Sequence, residues 1–322
     1  MNETDETGTG LPTPDDIANA YARIRPHIRR TPVMEIDGSE FNHDAPVSLK
    51  LELFQHAGSF KPRGAFNNLL VRDVPAAGVA AASGGNHGAA VAHAASRLGH
   101  PANIFVPEIS SPAKIARIRR SGAALHIEGA RYADALENCE RFQAESGAIG
   151  VHAYAEPLTV EGQGTLALEW AEQAGGLDTV LVAAGGAGLI SGIAAFFEGR
   201  VKVVGVEPVG SCALHAALAA GGPVDVDVNS VAADSLGSKS VGGLNHAICS
   251  RHVDHVALVE DDAIRNAMAV LWNRFQIAAE PGGATALAAL LSGAYRPQAG
   301  ERLGVLVCGG NIDPAHLPGV EE

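Results

Sequence analysis

The chain has 322 residues, 47% hydrophobic and 18% charged, a composition that belongs to globular proteins and excludes a disordered chain. Its 36 acidic and 23 basic side chains leave a formal net charge of −13, which argues against nucleic acid or an anionic membrane as the main partner. Four scattered cysteines with no C-x-x-C pair, a polar acidic N-terminus and no apolar run of spanning length lead to the expectation of a reduced, cytoplasmic, enzyme-sized protein.

Residues 1–10 read as a flexible tail. TPDDIANAYARIRPHI then predicts a helix, with Thr13 as cap, Pro14 at the first position and two aspartates in the first turn. The basic run RIRPHIRR (23–30) falls at helical spacing and reads as a solvated face. PVSLKLELF (46–54) has strand character. From there short apolar runs alternate with longer helical patterns. GVAAAS precedes NHGAAVAHAASRLG, ANIFVP precedes SPAKIARIRRSG, and ALHIEG precedes RYADALENCERFQAESG. TVLVAAGGAG leads into LISGIAAFFEG and VKVVGVEP into SCALHAALAAGG, and RLGVLVCGGN is the last clear strand. Such alternation predicts an α/β fold of parallel sheets with helices on both faces. Ligands of such sheets bind beyond the carboxyl ends of the strands, so the strand-to-helix turns are where chemistry belongs.

In HAGSFKPRGAF, Pro62 suits the first position of a helix, which puts Lys61 at or next to its N-cap. The positive end of a helix repels an ammonium, so this lysine breaks a local rule. SGGNHG (83–88) follows a strand and opens a helix. It is either a row of backbone amides for a carboxylate or phosphate, or a turn that lets helix and sheet pack closely. GGAGLISG (185–192) is the stronger anion loop. A dinucleotide fingerprint competes there, with Glu207 where a ribose-binding acid belongs, but its third glycine falls on Ser191. VLVCGGN carries Cys308 at the end of a buried strand, and EPGGA places Glu280 in an apolar stretch where it needs solvent or a partner. His252 and His255 lack a third ligand of fitting spacing and read as ordinary surface.

Together and in this order, GSFKPRGAF, SGGNHG, GGAGLISG, EPGGA and CGGN resemble the fold-type II pyridoxal-phosphate enzymes, the tryptophan synthase β-like fold, and within them the serine/threonine dehydratase and serine racemase group. The resemblance runs from about Thr31 to Asn311. It implies a large cofactor-binding domain (11–52 and 153–322), a small substrate-binding domain (53–152) and a homodimer. It implies that Lys61 holds pyridoxal 5'-phosphate as a Schiff base and serves as general base. Asn86 would meet the cofactor's phenolic oxygen. Gly185, Gly186, Ala187, Gly188 and Leu189 would cradle its phosphate, and Cys308 would meet the pyridine nitrogen. Ser83, Gly84, Gly85, Asn86 and His87 would take the substrate carboxylate, with Glu280 near the substrate. The activity implied is β-elimination from L-threonine, L-serine or a related β-hydroxy amino acid, giving a 2-oxo acid and ammonia. Serine racemization, 3-hydroxyaspartate dehydration, cysteine synthase-like β-replacement and a nicotinamide oxidoreductase are the alternatives. Two departures bear on them: Gly84 stands where racemases carry a serine, and Ala213 stands where metal-activated relatives carry an aspartate. The second leaves Glu207 as a weak metal candidate.

Overall fold

The computed structural model describes residues 10–110, 112–313, 315 and 317; apart from Gly10, the expected flexible tail lies outside the described residues. The first helix, α1 (Pro14–Ile24), starts as its sequence dictates. The Thr13 hydroxyl accepts from the Asp16 amide while the Asp16 carboxylate accepts from the Thr13 amide, a capping box with Pro14 at the first position. The basic run does not continue this helix, which stops at Ile24 ahead of Pro26. Arg25, Arg29 and Arg30 are exposed, as expected of a solvated face; at that surface Arg29 bonds the Phe54 carbonyl and Arg30 the Glu172 carboxylate, while the half-buried Arg23 bonds the Asn67 side chain.

Strands β1 (Val33–Ile36) and β2 (Val47–Leu51) form an antiparallel edge pair, and β2 ends three residues before its sequence pattern, in a short 3-10 turn. After α2 (Pro62–Val71) come β3 (Val79–Ala82), α3 (Asn86–Leu98), β4 (Ala102–Val106), α4 (Pro112–Arg120), β5 (Ala124–Ile127), α5 (Tyr132–Ser146) and β6 (Ile149–Gly150). The next elements are α6 (Pro157–Gln173), β7 (Thr179–Ala183), α7 (Gly188–Phe197), β8 (Lys202–Pro208), α8 (Ala213–Ala220), the single turn α9 (Ala233–Leu236) and α10 (Gly243–His252). The chain closes with β9 (His255–Val259), α11 (Asp261–Phe275), α12 (Pro281–Ser292) and β10 (Leu303–Val307).

Two sheets result. The smaller, ordered β5-β4-β3-β6, is parallel throughout; the larger, β1-β2-β10-β7-β8-β9, is parallel except at its β1 edge. The expected parallel sheets are thus found, with the β1 edge strand pairing antiparallel to β2 across the connection 37–46. Strands β7 and β10 are buried at every residue, as strands covered by helices on both faces must be. His255, read as surface, opens β9 and stacks on Tyr295 at 6.1 Å.

Beneath α2 lies a fully buried charged cluster. Arg63 donates to Glu52 at 2.7 and 2.8 Å and to Glu169 at 3.1 Å, and the Lys50 ammonium donates to Glu169 at 2.6 Å. Two cations face two carboxylates. The cluster joins β2, α2 and α6, so the helix that begins at Lys61 is bolted to the large sheet two residues further on.

Candidate active site

Lys61 is the N-cap of α2 and makes no side-chain cap bond; its backbone is already helical. Its Nζ donates to the carbonyl of Ala153 at 2.7 Å and lies 5.1 Å from the centre of the Phe60 ring. Burial, which penalises the ammonium, lowers its pKa to about 8. Desolvation is therefore the first physical cause of a reactive amine here, ahead of the helix field expected from sequence.

The segment before Lys61 is laid against the end of β10. Phe60 N donates to Cys308 O at 3.1 Å, Gly310 N donates to Gly58 O at 3.0 Å, and Ser59 bridges Gly309 antiparallel. This contact brings CGGN beside GSFK across about 250 residues of chain. The Cys308 thiol donates to Gly282 O at 3.4 Å, and burial pushes its pKa up, so it stays a neutral thiol.

Gly85 caps α3 without a side-chain bond, so the amides of the first turn are open to an anion, and the Ser83 hydroxyl orders the turn by accepting from Gly85 N at 3.3 Å. The His87 imidazole is committed elsewhere. Its Nε2 faces the Val151 carbonyl at 2.8 Å, so that nitrogen carries the proton, and burial together with nearby Lys61 lowers its pKa to about 3. A neutral ring with its one N–H spent cannot donate to a carboxylate, which limits His87 to its backbone amide. Asn86 Nδ2 donates to Glu280 Oε1 at 2.6 Å. Burial raises the Glu280 pKa to about 7 against the pull of that bond and of Arg117. The partner that an acid in so apolar a stretch requires is thus Asn86.

The stretch 185–189 runs from the end of β7 into the first turn of α7. Among the described residues its backbone amides have no hydrogen-bond partner, and they gather at a positive helix end. A Cβ at Gly186 would stand 2.4 Å from the Tyr154 ring, and one at Gly185 2.7 Å from the Leu236 backbone. Glycine is required there by close approach. Ala187 adopts the left-handed conformation at φ 63 that directs the turn into the helix. A depressed-pKa lysine, a bare amide loop, an amide donor and a neutral thiol are the donor set that a phosphorylated pyridine aldehyde needs. These residues fit pyridoxal phosphate.

Glu207 serves a different purpose. Its carboxylate accepts from Leu214 N at 2.9 Å and His215 N at 2.8 Å, and burial raises its pKa to about 8. It caps α8, which leaves neither a ribose-binding acid nor a metal ligand facing the loop. Ser191, which breaks the dinucleotide fingerprint, is buried against Cys249 at 3.3 Å. Among the described residues no group of three or more His, Cys, Asp or Glu side chains could hold a metal ion. Sequence reasoning missed Tyr154, which packs on Gly186 and Gly188 of the 185–189 stretch, and Asn311, which contacts Asn86; for Tyr154 no local signal exists, while Asn311 stood in CGGN without a role.

The family described as pyridoxal-phosphate dependent enzyme matches residues 24–309, and the chain belongs to it. Over 312 residues it is 41% identical to phenylserine dehydratase from Ralstonia pickettii, covering 95% of each chain. It is 35% identical to beta-hydroxyaspartate dehydratase from Paracoccus denitrificans, covering 96% of this chain and 99% of the relative. The structure of maize serine racemase superposes with a TM-score of 0.90 at 33% identity, covering 96% of both chains. The chain is a pyridoxal-phosphate-dependent carbon–oxygen lyase of the serine/threonine dehydratase family, acting by β-elimination on a β-hydroxy amino acid. No helix among the described residues is long and apolar enough to cross a membrane.

Proposed function

We propose that the enzyme deaminates β-hydroxy amino acids whose β-substituent is uncharged, 3-phenylserine among them, to the 2-oxo acid and ammonia, with Lys61 as the base. The observation that carries the roles is the buried Lys61 amine with its pKa near 8, bonded to the carbonyl of Ala153, whose neighbour Tyr154 packs on Gly186 of the bare amide loop. Pyridoxal phosphate, when bound, supplies the electron sink that makes the α-proton acidic. Lys61 would hold the cofactor and would take that proton at Nζ; with its pKa lowered to about 8, roughly a tenth of the amine is the free base at neutrality, far more than for an ordinary lysine. The amides of 185–189 would hold the phosphate, Asn86 the phenolic oxygen and Cys308 the pyridine nitrogen, while the remaining amides of 83–87, with Gly85 N kept by the Ser83 hydroxyl, would hold the substrate carboxylate. A neutral thiol does not keep that nitrogen protonated, which favours prompt loss of the β-hydroxyl.

The uncharged β-substituent rests on the similarity to a phenylserine dehydratase; of the cations near Glu280, Lys114 is bound to Asp234 at 2.9 Å. A large cofactor domain (11–52 and 153–322), a small substrate domain (53–152), a homodimer and a cytoplasmic location belong to the same reading, and sedimentation measures the oligomer. Ammonia release is to be measured across serine, threonine, 3-phenylserine and 3-hydroxyaspartate with wild type and Lys61→Ala. Expected are turnover of the uncharged substrates and its loss in the variant. A preference for 3-hydroxyaspartate sinks the substrate reading, and wild-type turnover by Lys61→Ala sinks the assignment of the base.

A further inference from the structure

Asn311 closes the CGGN motif. Its Nδ2 lies 2.7 Å from the carbonyl of Ala57 and 2.7 Å from Asn86 Oδ1. A backbone carbonyl only accepts, so the Asn311 atom facing Ala57 must be the amide nitrogen. That nitrogen has a second hydrogen, which points at Asn86, and Asn86 must therefore present its oxygen. The Asn86 nitrogen is then turned toward Glu280, which it meets at 2.6 Å, and one Asn86 N–H is left unspent. The polarity of both amides is thus dictated outward from one backbone carbonyl.

We propose that Asn311 is a positioning residue that fixes the direction of the Asn86 amide and, through the same nitrogen, pins the turn that delivers Lys61. The turn needs holding. Ala57 sits in the left-handed region at φ 58 and ψ 12, an unfavourable conformation for a residue with a Cβ. Gly58 follows at φ 75, and a Cβ there would stand 2.3 Å from Asn311 Oδ1, so the Asn311 side chain fills the space that this glycine leaves. Three residues after Gly58 comes Lys61. One side chain therefore braces both the segment carrying the base and the donor opposite it.

The proposal rests on the reading that Asn86 donates to the cofactor's phenolic oxygen. Donation to the charged form of an acid lowers its pKa, so a correctly turned Asn86 keeps that oxygen ionised to lower pH. Asn311→Asp keeps the shape but has no N–H for either partner, and Asn311→Leu removes both donors without adding charge. Apoprotein of each is to be titrated with pyridoxal phosphate and the colour of the loaded enzyme followed against pH, with Asn86→Ala alongside. Expected are a cofactor dissociation constant raised about tenfold or more and a colour transition moved to higher pH in both Asn311 variants, as in Asn86→Ala. A merely structural side chain would lower the melting temperature of the apoproteins and leave the colour transition in place. If both Asn311 variants keep the wild-type constant and transition while Asn86→Ala shifts them, this proposal is overturned. If Asn86→Ala also behaves as wild type, the assignment of Asn86 fails instead.

Discussion

Lys61 Nζ and the Ala153 carbonyl, 2.7 Å apart, join the N-cap of α2 to the segment between β6 and α6. A carbonyl accepts from a neutral amine as well as from an ammonium, so this bond orients Lys61 without demanding its charge. Burial then decides the protonation state, holding the pKa near 8.

The rate at which apoprotein captures pyridoxal phosphate is accordingly expected to rise with pH through a midpoint of about 8. The sign follows from the group. Only the neutral amine attacks a carbonyl, and below its pKa Lys61 is an ammonium. Stopped-flow absorbance over pH 6–10 checks this, and a midpoint near the ordinary lysine value of about 10.4 would contradict the burial argument.

Gly84 has room for a small side chain: a Cβ would meet Ser110 Oγ at 3.4 Å and Val106 Cγ1 at 3.5 Å, ordinary contacts. Gly84→Ser should fold normally and acquire detectable conversion of L-serine to D-serine, because it adds a hydroxyl where the wild type has no proton carrier. Chiral chromatography of the remaining substrate tests it. Wild type yielding D-serine at a rate comparable to ammonia would show that Gly84 is not what restrains racemization.

Gly186→Ala should weaken cofactor binding by about tenfold or more, since its methyl would stand 2.4 Å from the Tyr154 ring. The pair Gly186→Ala with Tyr154→Ala should recover part of that affinity by removing the obstruction. Full affinity in the single variant would mean that the loop yields freely.

Glu169→Gln leaves the buried Lys50 and Arg63 with one carboxylate between them. Removing one partner of a buried ion pair costs about 3–5 kcal/mol, because the remaining charge stays desolvated. Urea denaturation should show a loss of that order. A change below about 1 kcal/mol, the usual worth of an exposed pair, would mean that water reaches the cluster.

Much of the fold is local in origin and therefore legible: alternating strand and helix patterns, the Thr13 capping box and the turn glycines. What escaped is instructive. α6 carries Gly162 and Gly164, which locally suggest a turn. A Cβ at Gly162 would meet the Arg63 carbonyl at 2.6 Å and one at Gly164 the Gly192 carbonyl at 2.8 Å, so both glycines exist to let α6 touch α2 and α7. β9 escaped because His255 and Asp254 make a short strand look like surface. The antiparallel β1 edge and the ties made by the Arg23–Arg30 run depend likewise on partners elsewhere in the chain.

By itself the sequence determined the residue types of the site and their order: a lysine at a helix start, two glycine loops opening helices, and a cysteine ending a strand. These are set by turn geometry and helix-end chemistry, which act over a few residues. Only the tertiary structure decided which groups face one another and in what state. It turned Glu207 onto the amides of α8, committed the His87 proton to Val151, paired Glu280 with Asn86 and set Asn311 between Asn86 and Ala57. Burial and hydrogen-bond direction are properties of the packed interior, and no spacing along the chain encodes them.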